Sequence, residues 1–354
     1  MRAQNGPESI SKKTSFLKTI SFWRRTVQVV AFAGLLYGGF LVTGSGGTGT
    51  AEALGKANAV YWVPKDPAVV DAFLPSAVCK FNPRGGTFAA CPVYFLNDKL
   101  TWLVPLRYLL GYVLIFFVLG LLLSRLWCGW LCPLGSIEDA VNWVRKKAGL
   151  PRVQWGERTR KVLQWTKYSL LGLSVLISGV IAIPALKDFQ CYFFIPYCQL
   201  CPGRILFPLF GGVIPKVSDF TAIPAGVFTV LAWSFLAFFI LGSFLGRRIW
   251  CRLCPIGACH EFFNRGGLVS LRKDTVKCNR CGVCADVCPI EHRGVYEEKD
   301  PVKGKTGPLR SADVSHRDCI LCLRCVELCP RDGCLELRFA GKRIVKSSFK
   351  ETRA

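Results

Sequence analysis

The stretch CNRCGVCADVCP (residues 278–289) is followed in the chain by CILCLRCVELCP (319–330). Both runs have the spacing Cys-x-x-Cys-x-x-Cys-x-x-x-Cys-Pro. Three closely spaced thiolates can bind three corners of one cubane iron–sulfur cluster, but the chain cannot turn tightly enough for its next cysteine to bind the fourth corner. The last cysteine of each run is therefore expected to bind the cluster of the other run.

This spacing predicts two [4Fe-4S] clusters in a small α+β domain of the bacterial two-cluster ferredoxin type, over residues 267–340, followed by a basic tail at 341–354. Zinc normally takes two separated Cys-x-x-Cys pairs for each ion and is not favoured here. Cys334 fits no ligand position and is expected to be a buried or free thiol. The ligands expected for the first cluster are Cys278, Cys281, Cys284 and Cys329, and those for the second are Cys319, Cys322, Cys325 and Cys288.

The composition of the chain indicates a membrane protein. Hydrophobic residues make up 51% of the 354 residues, and the formal net charge is +23. The basic residues flank long apolar runs, as in proteins attracted to anionic lipid, so nucleic acid is not expected as a partner. Only three histidines occur and none lies in an apolar run, which disfavours a membrane-embedded b-type haem.

Four apolar segments are long enough to span a bilayer, at 27–43, 106–124, 167–184 and 226–245. Lysine and arginine are concentrated before the first segment, between the second and third, and after the fourth, which places both termini in the cytoplasm of a bacterium. The expected domains are a basic cytoplasmic N-terminus (1–25) and a four-span helical membrane domain (26–266), with outer loops at 44–105 and 185–225. A cleaved signal peptide stays an alternative for the first span.

The membrane domain contains an internal duplication of helix pairs. SRLWCGWLCPLGS (124–136) and RRIWCRLCPIGAC (247–259) both follow an apolar run, and each apolar run is itself preceded by cysteines ending in Cys-Pro. Such repeats commonly pack about a pseudo-twofold axis. The upstream cysteines are Cys79 and Cys91 in the first copy, and Cys191, Cys198 and Cys201 in the second.

A pseudo-twofold arrangement would bring four inner thiols together, and four is the number that a cubane needs. We therefore expect a third cluster at the inner motifs, with a redox-active dithiol or a copper or zinc site as alternatives. Cys259 could substitute as a ligand. For the outer cysteines, disulfides and an outer cluster on Cys79, Cys91, Cys198 and Cys201 both stay open. The inner ligands would be Cys128, Cys132, Cys251 and Cys254.

With these motifs, residues 20–340 resemble the NapH-type ferredoxin-like membrane proteins, which are related to the membrane parts of NosR and to MauN. That family has four spans, two inner Cys-Pro motifs and a two-cluster ferredoxin module. The chain departs from it at Cys251–Cys254, where the spacing is one residue shorter than the family's Cys-x-x-x-Cys-Pro. The resemblance implies electron transfer linked to the quinol pool, with redox subunits as partners.

The resulting hypothesis is a membrane-bound iron–sulfur protein that relays electrons between the quinone pool and a redox partner complex, either as a quinol dehydrogenase subunit or as a carrier. A quinone pocket would lie near Trp102, Arg107, Trp127 and Trp130, although tryptophans there are also typical of an ordinary interfacial belt. The alternative function is a membrane reductase that keeps copper or thiols reduced for the assembly of another metalloenzyme.

Overall fold

The computed structural model describes most of the chain apart from its ends and several internal stretches. Two of the residues singled out above, Cys191 and Trp102, lie outside the described part. Arg107 lies in a described helix, but its side chain is not described. The described residues are 19–38, 78–79, 81–82, 91–101, 103, 105–151, 153, 156–189, 193, 195–212, 214, 218, 220–291, 294–297, 311–315 and 318–348.

The described residues are mainly helical. Two short segments are not α-helical: a π-helix at Trp127–Leu131 and a 3-10 helix at Pro184–Phe189. The α-helices are α1 (Ile20–Tyr37), α2 (Pro92–Thr101), α3 (Leu106–Leu123), α4 (Pro133–Lys147), α5 (Glu157–Ile181), α6 (Pro196–Leu200), α7 (Gly203–Phe210), α8 (Ile223–Leu245), α9 (Trp250–Leu253), α10 (Pro255–Gly266), α11 (Val283–Asp286), α12 (Gly294–Glu297) and α13 (Arg324–Leu328).

Each of the four predicted spans overlaps a long helix, namely α1, α3, α5 or α8, and residues 39–43 of the first span lie outside the described part. Within the described residues, only α8 is both long and apolar enough to cross a membrane, and α3 contains a shorter apolar stretch at Leu110–Leu123. Helices α1 and α5 carry several basic residues in their N-terminal halves, which lowers their mean hydropathy. The four-span bundle therefore stays a prediction.

The chain divides into two compact units. One unit contains Met1–Val29, Leu121–Trp130 and Glu261–Ala354, and the other contains Val30–Gly120 and Leu131–His260. We call them the ferredoxin unit and the helical unit. The ferredoxin unit includes the segment predicted as the ferredoxin domain, together with the first turns of α1 and the segment that ends in the π-helix.

The ferredoxin unit is built on a four-stranded antiparallel sheet in the order β2-β1-β3-β4. Leu271 on β1 lies opposite Leu337 on β3, and both are buried in the core of this unit together with Val326 of α13. Strand β4 takes in residues that the sequence analysis assigns to the basic tail. The strands are β1 (Val269–Asp274), β2 (Ser311–Asp313), β3 (Leu335–Phe339) and β4 (Lys342–Lys346).

In the helical unit, the predicted outer loops contain short helices that pack against the long ones. Helix α2 lies along α5, where the buried amide of Asn97 donates hydrogen bonds to the carbonyl of Ser174 (3.0 Å) and the hydroxyl of Ser178 (2.9 Å). Helix α6 packs against α5 and α8. The Cys-Pro pairs of these segments lie within the unit, where Cys91 is buried and Cys201 is partly buried.

The two inner motifs differ by one residue, and the structure shows where that residue goes. Trp127–Leu131 forms a five-residue π-helix, whereas the equivalent Trp250–Leu253 forms a four-residue α-helix. A single inserted residue in a helix is commonly absorbed as a π-bulge. In both copies the next cysteine directly precedes the proline at the start of a helix, with Cys132 before α4 and Cys254 before α10.

Candidate metal centre

The first predicted ligand set surrounds one cavity of the ferredoxin unit. About 350 Å³ of this cavity is free of protein atoms, part of it open to solvent. Cys281 is exposed and Cys329 is buried, so the site lies at the edge of the unit. The cavity is lined by Cys278, Cys281, Cys284 and Cys329, with Cys334 behind them.

The second predicted ligand set surrounds a neighbouring cavity. Its wall includes Cys284 of the first set, so the two cavities adjoin. Apolar side chains such as Leu271 and Ile320 complete the wall, which limits the access of water. The cysteines that line it are Cys288, Cys319, Cys322 and Cys325. The last cysteine of each run thus lines the cavity of the other run, which is the arrangement expected from their spacing.

The backbone of both runs is folded in the same unusual way. Arg280 and Gly282 flank the second cysteine of the first run with positive φ angles of 56° and 82°. Leu321 and Leu323 occupy the equivalent positions in the second run, at 48° and 59°. Alternation of right- and left-handed residues turns successive N–H groups toward one concave side, a conformation found at many iron–sulfur sites. The leucines keep it despite the strain that a side chain adds there.

The surroundings of these thiols combine burial with a few cations. Burial raises the pKa of Cys319 to about 12, and it raises the pKa of Cys284 to about 11. Lys273, itself buried, lies near Cys284 and opposes this rise in its pKa. At Cys284 and Cys319 a thiolate would therefore need a bound cation, which a metal site supplies.

The geometry fits a cluster better than a single ion. Within the part of the chain that the structure describes, no three Cys, His, Asp or Glu side chains stand close enough to share one metal ion. The thiolates that bind a cubane are spread over its separate iron atoms, so they stand further apart than the ligands of one ion. Two cysteine-lined cavities with converging backbone N–H groups are suited to [4Fe-4S] clusters.

Cys334, which fits no ligand position, is a buried thiol as expected. It lies behind the first cavity, and its sulfur is 3.7 Å from the carbonyl oxygen of Asp274. A hydrogen bond from Cys334 lowers the pKa of the Cys329 thiol.

The first inner motif packs directly on the second ligand run. Gly129 lies so close to the carbonyl oxygen of Ile320 that a Cβ atom would overlap it. The indole of Trp130 donates a hydrogen bond to the carbonyl of Leu321 at 3.0 Å. Cys128 is buried in an apolar group with Ile320 and Cys322, beside Cys288. Of the four thiols proposed for a third cluster, Cys128 thus lies in the ferredoxin unit, and Cys132, Cys251 and Cys254 lie in the helical unit.

In the helical unit the second inner motif is bonded to α4. The carboxylate of Glu138 accepts a hydrogen bond from the backbone N–H of Trp250 at 2.8 Å, and its other oxygen lies 3.6 Å from the sulfur of Cys251. Burial raises the pKa of Glu138 to about 7, against the opposing effect of this N–H and of Arg248. Glu138 could not be identified from the sequence, because the equivalent position of the second repeat, five residues after Pro255, is His260.

Four of the five outer cysteines lie in the described part of the chain, and they converge inside the helical unit from both repeats. Each thiol interacts electrostatically with at least two of the others. None of them forms a disulfide. Cys91 and Cys198 are buried, and Cys79 and Cys201 are partly buried.

The predicted quinone residues do not form one described site. The indole N–H of Trp130 is engaged in the ferredoxin unit, as described above. Trp127 is partly buried, and its indole N–H has no hydrogen-bond partner among the described residues. The helical unit instead contains an apolar cavity of about 320 Å³ between α2 and α3, beside which Phe95 and Tyr112 stack with ring centroids 3.6 Å apart. Its wall includes Phe95, Leu96, Leu100, Tyr112, Val113 and Phe116, with Lys99 and Cys259 at its sides.

Comparison with known families agrees with these cysteine sites. A family described as "4Fe-4S dicluster domain" matches residues 277–332, which contain both ferredoxin-type runs. A second, "4Fe-4S binding domain", matches twice, at 105–151 and 227–274. The double match supports the internal duplication, because each copy contains one inner Cys-Pro motif.

Individual relatives carry the same kind of description. The chain is 30% identical over 256 residues to the methylamine utilization ferredoxin-type protein MauN of Paracoccus denitrificans, covering 68% of this chain and 78% of that one. It is 28% identical to the ferredoxin-type protein NapH of Haemophilus influenzae (66% and 67% covered) and 29% identical to that of Escherichia coli (63% and 66%). The matches to NapH thus span about two thirds of those proteins. No solved structure matches the chain.

Proposed function

Because this chain belongs to the family of ferredoxin-type proteins that includes NapH and MauN, we propose that it relays electrons between the quinone pool and a redox partner complex in a bacterial cytoplasmic membrane. An iron–sulfur electron-transfer role follows from the family and its 4Fe-4S domains. The link to the quinone pool, the redox partner and the membrane location go beyond that role and belong to the proposal.

The observation that carries the proposal is the pair of adjoining cysteine-lined cavities in the ferredoxin unit. The first would hold a cluster on Cys278, Cys281, Cys284 and Cys329, and the second on Cys319, Cys322, Cys325 and Cys288. Such clusters supply one-electron oxidation and reduction at potentials set by burial and by hydrogen bonds to sulfur. The chain's own residues provide the apolar wall, the converging N–H groups and the nearby cation of Lys273.

A third cluster on Cys128, Cys132, Cys251 and Cys254 is part of the proposal. Its support is the double match of the 4Fe-4S binding domain over both inner motifs. Helix N-termini favour thiolates, and Cys132 and Cys254 each directly precede the proline that begins a helix.

The membrane location is supported by α8 and by the distribution of basic residues along the chain. In the proposed topology both termini and the ferredoxin unit face the cytoplasm. The partner is a redox subunit, because ferredoxin-type modules store electrons but have no substrate chemistry of their own.

The cavity between α2 and α3 is the best-supported place for a quinone ring. Its volume of about 320 Å³ is within the range of small-molecule sites, and its wall is almost entirely apolar. The phenol of Tyr112 and the ammonium of Lys99 are the polar groups that could donate hydrogen bonds to a quinone oxygen.

Anaerobic addition of a soluble quinol analogue to the purified protein tests the proposal. We expect the visible absorbance of the clusters to bleach and the EPR signal of reduced [4Fe-4S] clusters to appear. The double variant Cys281→Ala/Cys322→Ala serves as the control and should lose most of this response. The link to the quinone pool would be refuted if dithionite reduced the clusters but quinol did not, and if quinone did not reoxidise them.

The alternative of a membrane reductase for copper or thiols is favoured by one observation. The helical unit contains several buried thiols, and none of the described ones forms a disulfide. Reduction of cupric ion or of a disulfide substrate, at a rate independent of quinol, would support this function instead.

A further inference from the structure

The four described outer cysteines of the helical unit have the environment of metal ligands. They come from two separate segments of the duplicated sequence, Cys79 and Cys91 before α3, and Cys198 and Cys201 before α8. Despite this separation, Cys198 lies close enough to each of the other three for their charges to interact. If these cysteines served only to fill the interior, there would be no reason for both repeats to place them at the same site.

Backbone N–H groups point at these sulfurs. The thiol of Cys79 accepts a hydrogen bond from the N–H of Phe81, and that of Cys91 accepts from Val93 and Tyr94. The thiol of Cys201 accepts from Gly203 at the start of α7. Hydrogen bonds from the backbone to sulfur are the interactions that stabilise and tune cluster ligands. A disulfide sulfur is a weak acceptor and gains little from them.

One cation is placed beside the sulfurs. The guanidinium of Arg204 interacts with Cys79 and Cys198 and lies 5.5 Å from the centre of the Phe81 ring. An iron–sulfur cluster with four cysteine ligands is anionic, and a half-buried arginine next to it offsets part of that charge.

A buried polar side chain lies beside the thiols. Tyr197 is 2% exposed, and its hydroxyl interacts with the Cys201 thiol. Polar groups that reach ligand sulfurs are part of the surroundings that orient and tune a metal site. The groups that surround this hydroxyl include Cys91, Cys198 and Cys201, so the space it faces is the space between the thiols.

We propose that Cys79, Cys91, Cys198 and Cys201 bind an additional iron–sulfur cluster, separate from those of the ferredoxin unit. A single ion fits less well, because no three such side chains among the described residues stand close enough to share one. The site also adjoins the apolar cavity, because Cys91 directly precedes Pro92 in the cavity wall and interacts with Cys259 on its other side.

The test measures iron and acid-labile sulfide per chain in the anaerobically purified full-length protein. The double variant Cys198→Ser/Cys201→Ser should contain less of both, by the content of one cluster, while the EPR signals of the ferredoxin unit persist. The control is Ser234→Ala, an exposed residue on α8 of the same unit, which should leave the iron content unchanged. Equal iron and sulfide in the wild type and the double variant would overturn the proposal.

A second experiment covers the case in which that variant fails to fold. It uses the full chain with two ligands of each ferredoxin-type site replaced, namely Cys278→Ala, Cys281→Ala, Cys319→Ala and Cys322→Ala. Iron should persist in the helical unit of this variant. The iron content per chain should fall further when Cys79→Ser is added. Thiol labelling of the wild type under denaturing conditions provides a third measurement. Recovery of the four cysteines as disulfides, or zinc or copper in place of iron, would also refute the assignment. None of these outcomes depends on whether quinol reduces the protein.

Discussion

Arg248 and Asp139 form a buried ion pair, with two guanidinium nitrogens 2.7 and 3.2 Å from the two carboxylate oxygens. The equivalent residues of the other repeat are Arg125 and Glu261, which pair at 3.4 Å. In each pair the arginine comes from one repeat and the acid from the other. Duplicated segments related by a pseudo-twofold are expected to exchange equivalent contacts in this reciprocal way.

Asp139→Ala should destabilise the helical unit strongly. Arg248 is 1% exposed, and removal of one partner of a buried pair typically costs about 3–5 kcal/mol. Thermal unfolding in detergent, followed by circular dichroism, should show a clear fall in midpoint. The control is Asp332→Ala, which removes the exposed partner of Lys346 and should change the midpoint little. Equal midpoints for the two variants would contradict the assigned role of the pair.

Gly129→Ala should disturb the second ligand run of the ferredoxin unit. A Cβ atom there would meet the carbonyl oxygen of Ile320, which follows Cys319, and backbone atoms cannot move aside easily. We expect faster loss of visible absorbance on heating and a lower iron content. Gly172→Ala in α5 is the matched control, because nothing lies within 4 Å of its Cβ position. If both variants keep iron equally well, the close contact at Gly129 is not needed to hold the site.

Asn264 connects α10 to the second ligand run, so Asn264→Asp should weaken that run. The amide nitrogen donates to the carbonyl of Cys319 at 2.7 Å, and its oxygen accepts from the hydroxyl of Ser124 at 2.7 Å. An aspartate can accept but cannot donate, and a lost buried hydrogen bond costs about 1–3 kcal/mol.

The readout for Asn264→Asp is the rate at which cluster absorbance disappears in the presence of an iron chelator. The equivalent residue of the first repeat gives the control. Asn142 accepts a hydrogen bond from Arg145 at 2.7 Å, which an aspartate at that position could also accept. Asn142→Asp should therefore leave the rate unchanged, and a similar rate for both variants would argue against the bridging role of Asn264.

The ferredoxin-type sites could be predicted from the sequence because ligand spacing alone restricts how a chain can wrap a cluster. The exchange of Cys288 and Cys329 between the two cavities follows from that restriction. The left-handed conformations of Leu321 and Leu323 could not be predicted from the spacing, because leucine rarely adopts a positive φ angle.

The features of the helical unit that could not be predicted from the sequence depend on tertiary contacts. Glu138 is a polar residue on an amphipathic helix, and only the fold shows that it is buried against Trp250. The apolar cavity forms where α2 meets α3, and the sequence assigned α2 to an outer loop. The single-residue difference between the inner motifs was visible beforehand, but the π-helix that absorbs it was not predicted.

The last prediction concerns the cavity between α2 and α3. Val113→Trp places a large side chain in the cavity wall and should exclude a quinone ring, while the iron content of the protein stays that of the wild type. Reduction by a quinol analogue should slow by at least tenfold, and reduction by dithionite should be unaffected. Leu114→Trp is the matched control, because Leu114 lies next to Val113 on α3, is 63% exposed and does not line the cavity. A normal quinol reaction in Val113→Trp would place the quinone site elsewhere, whereas slow reduction in both variants would point to a general disturbance of α3.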